Sequence, residues 1–187
     1  HRDLHSFPTR RSSDLAVTSV FSDGYCVEGR CSQDFDAGDF LSVEKTVFES
    51  RPDIVINCAA FLGIDPCEKD QTQAQRLNAL YPKQLAELSN EKNFILAHFS
   101  TDAVFNDDKN DFYVESDCPH PVNVYGRTKY EGDCFIQQIA RRYYLVRVSV
   151  LFGETHKQTQ FVEKMLQRAA EGQQTLKIAE DIMSSPS

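Results

Sequence analysis

Ile54-Val55-Ile56-Asn57-Cys58-Ala59-Ala60 decides the fold class of this 187-residue chain. It is an unbroken apolar run with a polar exit, introduced by Arg51-Pro52-Asp53, as expected of a parallel strand buried on both faces. A second run of the same kind, Phe94-Ile95-Leu96-Ala97-His98-Phe99, opens onto Ser100-Thr101-Asp102. Between them, Gln71 to Asn90 places Ala74, Leu77, Tyr81, Leu85 and Leu88 at helical spacing, with Pro82 as the expected kink. Strand, helix and strand in this order make a unit of a parallel sheet.

Outward from that unit the pattern repeats. Asp39 is placed to cap a helix carrying Val43, Val47 and Phe48 on one face, and Ala16 to Phe21, rich in β-branched residues and followed by Ser22-Asp23-Gly24, is expected to be a strand. Downstream, Val124 to Arg142 reads as a helix and Tyr143 to Ser149 as a strand. A further helix over Phe161 to Glu171, closed by Gly172, and a short strand at Leu176 to Ile178 complete the reading. The fold class is α/β, a Rossmann-like, doubly wound parallel sheet.

Residues 1 to 15 differ from the rest. They are basic and Ser-rich without either periodicity and read as a disordered tail. The string also resembles translated sequencing-adapter segments, which makes it a candidate for non-native sequence, with an ordinary flexible tail as the alternative. The domain proper is then 16 to 187. A dinucleotide fold normally opens with a strand and a Gly-rich turn that holds the pyrophosphate. No three of the eight glycines form that fingerprint, so the first strand and its loop are expected to be missing or replaced.

Composition narrows the function. A net charge of −8 argues against a nucleic-acid partner, and no stretch is long and apolar enough to span a bilayer. Cys26, Cys31, Cys58, Cys67, Cys118 and Cys134 include no Cys-x-x-Cys pair, and His98, His120 and His156 do not complete zinc spacings with them. Unpaired thiols and a cytoplasmic location follow, and no metal is expected. Asp65 and Glu68, which form a carboxylate pair in sequence, are read as opening a helix.

The chemistry concentrates in Tyr125-Gly126-Arg127-Thr128-Lys129. On a helix the four-residue offset puts the phenol and the ammonium on one face, and the cation favours the phenolate. Thr101, delivered from a strand end, can share the oxygen that Tyr125 protonates. These are the groups needed to give a proton to a carbonyl while a nicotinamide gives a hydride. Ligands of such sheets sit beyond the carboxyl ends of the strands, which nominates Asp36 and Ala37, Ala59 to Leu62, and Ser100 to Asp102. The acidic loop Asn106 to Asn123 is long enough to be a binding loop.

Taken in order, Arg51 to Ala60, Asn78-Ala79, Ser100-Thr101-Asp102-x-Val104-Phe105, Glu115-x-Asp117-x-Pro119-x-Pro121, Tyr125-Gly126-Arg127-Thr128-Lys129 and Ser185-Pro186 resemble the dTDP-4-dehydrorhamnose reductase family, an atypical, extended short-chain dehydrogenase/reductase. The resemblance covers about 16 to 187. It implies an oxidoreductase that uses NADPH or NADH to reduce the C4 keto group of a nucleotide-activated sugar, for deoxysugar and polysaccharide precursor synthesis. It implies Thr101, Tyr125 and Lys129 as the catalytic triad, with Tyr125 and Lys129 also touching the cofactor. Asp36 and Ala37 match the adenine side, and Ala59, Ala60 and Phe61 the segment along the cofactor. A homodimer is the candidate assembly.

Two departures bear on the substrate. Ala103 stands where the family carries Tyr, and Val150 where it carries Trp, so two substrate-side aromatics are replaced. A different 4-keto sugar nucleotide fits this. So does a non-catalytic cofactor-binding regulatory subunit like methionine adenosyltransferase beta, and so does an NAD-dependent nucleotide-sugar epimerase or dehydratase. Family members continue well past Ser185-Pro186. The chain as written is therefore expected to hold only the start of the substrate-binding lobe, to bind cofactor poorly and to be inactive.

Overall fold

The computed structural model describes residues 3–7, 12–30, 35–106, 108–149, 151 and 167–172. Five strands, β1 (Asp3–Phe7), β2 (Cys26–Gly29), β3 (Ile54–Asn57), β4 (Ile95–Thr101) and β5 (Tyr143–Val148), form one parallel sheet in the order β2-β1-β3-β4-β5. The chain moves outward from β1 to β2, then crosses back to β3 and continues the other way. The reversal between β1 and β3 is the crevice where ligands of open α/β sheets bind.

Two expectations near the N-terminus are corrected. Asp3–Phe7, read as part of a disordered tail, is an inner strand of the sheet, paired with β2 from Asp3↔Cys26 and with β3 from Leu4↔Ile54. Parallel pairing is made by backbone groups, and five residues are too few for a side-chain period to register. Ala16 to Phe21, read as a strand, is the C-terminal half of helix α1 (Ser12–Phe21). β-branched content marks a strand only when packing agrees, and a parallel step from β1 to β2 needs a crossover here. The Gly24 turn closes the helix, with Tyr25 N donating to Phe21 O at 3.0 Å.

The remaining elements follow the sequence more closely. Asp39 caps α2 (Phe40–Ser50), accepting from Leu41 N at 3.1 Å. Val43 and Val47 are buried as expected, whereas Phe48 is 59% exposed and lies under the Lys92 ammonium. Helices α3 (Ile64–Lys69) and α4 (Gln71–Gln75) lead into a π-helical turn over Arg76–Leu80, and α5 (Tyr81–Lys92) follows. The break expected at Pro82 is thus taken up one turn earlier, because the carbonyl of Asn78 has no N–H four residues on. Helix α6 (Val124–Ile139) ends before the expected Arg142.

Val43 and Val47 from α2, Leu85 and Leu88 from α5 and Ile136 from α6 pack on Val55 of β3 and Leu96 of β4. Strand alternation then puts Asn57, His98 and Ser100 on that same inward face. At Gly132 a Cβ would stand 2.3 Å from Asn78 O, so α6 and the π-helical turn meet backbone to backbone. The expected helix at Phe161 to Glu171 is described only from residue 167, where residues 167–170 are helical, and the strand at Leu176 to Ile178 lies outside the described residues. No described helix is long and apolar enough to cross a membrane.

Candidate active site

Thr101 is the last residue of β4, and a single 3₁₀ turn over Asp102–Val104 follows it. Its hydroxyl donates to Asp102 Oδ1 at 3.1 Å and accepts from Ala103 N at 3.2 Å. That turn sets the distance to the next element. A Cβ at Gly126 would fall 2.2 Å from Ala103 O, so only glycine lets the first turn of α6 rest on it. Tyr125, half-buried, is therefore held beside the end of β4.

The start of α6 is fixed twice. Asn123 caps it by accepting from Gly126 N at 2.8 Å, and Glu68 of α3 reaches across to accept from Val124 N at 2.9 Å. Glu68 thus ends at a helix N-terminus, where a carboxylate is favourable. Its role could not be read from its own neighbourhood, because its partner is 56 residues away.

Lys129, one turn beyond Tyr125, is only 2% exposed. Its Nζ donates to Phe99 O at 2.7 Å and lies 3.2 Å from His98 Nε2. Burial pushes its pKa down to about 8, partly offset by the charges of Asp133 and Cys58. His98 is fully buried and held well below the usual histidine range, by burial first and by Lys129 second, so it is neutral. Asp133, also fully buried, is raised by burial although Arg147 Nε lies 3.1 Å away. Ser100 is near enough to lower that carboxyl, yet neither Ser100 Oγ nor Asp133 Oδ1 completes a hydrogen bond of good geometry.

The segment after β3 is pinned at both ends by asparagines. Ala59 N donates to Asn57 Oδ1 at 3.0 Å. Phe61 N donates to Asn78 Oδ1 at 2.8 Å, and Asn78 Nδ2 donates back to Phe61 O at 3.0 Å and to Thr128 Oγ1 at 3.1 Å. Asn78 therefore ties the Ala59–Phe61 segment to α6. The sequence contained Asn78 only as part of an ordered motif set, and nothing in its spacing announced this role. Phe61 and Tyr125 both pack on the small cluster Cys67, Ala74 and Val124.

Asp36 and Ala37 lie on a separate edge. Asp36 Oδ1 accepts from Gly38 N at 2.8 Å, Ala37 packs on the core, and Arg76 Nε donates to Gly38 O at 2.7 Å. Ala103 sits in the 3₁₀ turn, and Val150 lies outside the described residues. The acidic loop is ordered by its own contacts: Lys109 pairs with Asp117 at 2.6 Å, and Tyr113 stacks on Phe105 with ring centres 4.1 Å apart. Between this loop and β5 lies a cavity of about 550 Å³ lined by Asp102, Phe105, Tyr113, Glu115, Arg147 and Ser149. It opens at the residue after Thr101.

The profile of the RmlD substrate binding domain family matches residues 13–187. The dTDP-4-dehydrorhamnose reductase of Salmonella typhimurium is 34% identical over 152 residues, covering 80% of this chain and 50% of that protein. The spore coat polysaccharide biosynthesis protein SpsK of Bacillus subtilis is 33% identical over 163 residues, covering 87% of this chain and 56% of that one. The chain spans about half the length of the curated relatives it matches. Among solved structures, the dTDP-4-dehydrorhamnose reductase of Bacillus anthracis in complex with NADP superposes with a TM-score of 0.85 at 28% identity, over 91% of this chain and 60% of that one. UDP-glucose 4-epimerase of Thermotoga maritima, at 17% identity and a TM-score of 0.79, shares the fold. With the profile match running from the first helix to the last residue, the chain belongs to the RmlD family, that of the dTDP-4-dehydrorhamnose reductases.

Proposed function

We propose that the protein reduces the C4 keto group of a nucleotide-activated sugar, with NADPH or NADH as hydride donor. One observation carries the reading: the backbone contact at Gly126 and the bond from Lys129 Nζ to Phe99 O bring Tyr125 and Lys129 to the strand end that carries Thr101. A phenol, an amine and a hydroxyl converging on one strand end suit proton delivery to a carbonyl oxygen.

The residues fit the nicotinamide half of the cofactor. Small Ala59 and Ala60 follow β3 at the crevice and Phe61 is held by Asn78, and the family resemblance assigns Asp36 and Ala37 to the adenine side. The pyrophosphate half has no Gly-rich turn before Gly24. A reduced nicotinamide, when bound, supplies the hydride. Tyr125 Oη gives its proton to the C4 oxygen as the carbonyl becomes an alcohol, leaving a phenolate. The Thr101 hydroxyl donates to the same oxygen and spreads its developing charge. Lys129 would hold the ribose of the bound cofactor and, when protonated, favours the phenolate. The cavity beside Asp102 is the proposed room for the sugar. Cytoplasmic location and a homodimer belong to the same reading.

The test is NADPH oxidation by the protein at its full genomic length, with a panel of nucleotide 4-keto sugars. Tyr125→Phe is expected to lower kcat by about 10²–10⁴-fold while NADPH affinity changes little. No oxidation with any sugar, or a Tyr125→Phe enzyme with unchanged kcat, would overturn the reading.

A further inference from the structure

Among the described residues, Asp133 is the one carboxyl buried completely, and the reaction above makes no use of it. Taking a carboxylate out of water costs several kcal/mol unless a positive charge offsets it. Tyr125, Lys129 and Asp133 stand at successive turns of α6, and residues four apart on a helix share a face. A fully buried acid thus follows a lysine that is only 2% exposed.

Two cations compete for this acid. Arg147 Nε donates to Asp133 Oδ2 at 3.1 Å, and Arg147 is the direct partner of Ser100 in the β4–β5 register. The Arg147 guanidinium has other compensation, however. It lies over the Phe105 ring, 5.5 Å from its centre, and lines the cavity together with Asp102 and Glu115. Lys129 has no such outlet. Its Nζ meets the Phe99 carbonyl at 2.7 Å and the His98 ring at 3.2 Å, and both are uncharged. Asp133 Oδ1 carries no hydrogen bond, so Arg147 takes up only one side of the carboxylate. Charges in a poorly polarisable interior act on each other without direct contact.

We infer that Asp133 is a positioning residue that acts through Lys129: its carboxylate is the counter-charge that keeps the buried lysine an ammonium, able to hold the ribose and to favour the Tyr125 phenolate. Burial pulls the Lys129 titration down to about 8, and of the groups that oppose this pull Asp133 comes before Cys58, which follows β3. Lys129 therefore stays charged at neutral pH. His98 of β4 adds no charge, and Arg147 of β5 competes for the same carboxylate. The inference rests on Lys129 being a cofactor-side residue of the reductase, because there its charge matters to the reaction.

The test uses the protein at its full genomic length, without cofactor or sugar. In ¹³C spectra of the aspartate-labelled wild type, with Asp133 assigned by its loss in Asp133→Asn, the Asp133 carboxyl is expected to resonate as a carboxylate at neutral pH. It should shift again at the midpoint of the Lys129 titration, followed by labelled lysine side-chain resonances. Asp133→Asn keeps the shape and removes the charge, so the Lys129 midpoint should fall by at least about one pH unit. Asp133→Glu should restore it. A protonated Asp133 at neutral pH, a carboxyl that does not sense the Lys129 titration, or a folded Asp133→Asn protein with Lys129 unmoved would overturn the inference. Should Asp133→Asn unfold, the two wild-type readouts decide alone. With NADPH and an accepted sugar, the alkaline limb of kcat in Asp133→Asn should move to lower pH with the Lys129 midpoint. Failure to oxidise NADPH with any sugar would remove the reductase reading and leave the titrations standing, and an unmoved Lys129 would do the reverse.

Discussion

Lys129 titrates near 8 in the folded chain against an ordinary value of 10.5, because burial disfavours its charge. Between those values the unfolded chain binds more protons than the folded one, so stability rises as pH increases through the window from about 8 to 10.5. Below it, holding or discharging the buried cation costs the fold about 3 kcal/mol. Lys129→Met removes the titration and also leaves His98 Nε2 and Phe99 O without their partner. The expectation therefore concerns the slope, not the absolute stability. Urea unfolding of the wild type between about pH 7 and pH 10 should gain on the variant by about 2–3 kcal/mol, and parallel pH profiles would contradict it. The Tyr125–Lys129 pair was legible because four residues are one helical turn. His98 was not, because its partner is set by the register Asn57↔His98, which no local pattern encodes. The available clue was a histidine in phase with Leu96 inside the apolar run Phe94 to Phe99.

At the scale of elements, α6 is positioned by two close approaches, Gly126 on Ala103 and Gly132 on Asn78. They test whether helix propensity or packing governs this helix. Replacing a helical glycine with alanine ordinarily gains about 1 kcal/mol. A Cβ at Gly132 would lie 2.3 Å from a backbone oxygen, so one of the two helical segments must move, and overpacking of this kind costs about 1–3 kcal/mol. Gly132→Ala is expected to be destabilising in urea unfolding, and because Gly132 lies on the turn after Lys129 it should also lengthen the Lys129–His98 contact. A stabilised variant would mean that propensity wins. The helices α2, α5 and α6 and the strands β3, β4 and β5 could be read from apolar period and length. The π-helical turn could not, since Pro82 announces a break but not which preceding carbonyl absorbs it. At Ala16–Phe21 the β-branched residues indicated a strand where chain connectivity required a helix.

At the scale of the whole molecule, the sheet divides into two unequal parts around β1. On one side, β3, β4 and β5 share the core built from α2, α5 and α6. On the other, β2 is joined to the described sheet through β1 alone, from Asp3↔Cys26 to Ser6↔Gly29. Deleting residues 1–11 removes that strand and with it both ladders, β1–β2 and β1–β3. Among the residues whose side chains are described, the core that includes Val55, Leu96 and Ile136 draws on α2, α5, α6 and the strands β3 and β4, so it is expected to survive the deletion. Hydrogen exchange of the truncated chain is therefore expected to show the amides of Val27 and Glu28 unprotected, while Leu96 and Ala97 keep most of their protection. If residues 1–15 are instead a tail outside the fold, Val27 and Glu28 will exchange equally in the intact and truncated chains. A loss of protection throughout β3 and β4 would show that β1 is needed for the main core as well, and that the two parts fold as one cooperative unit.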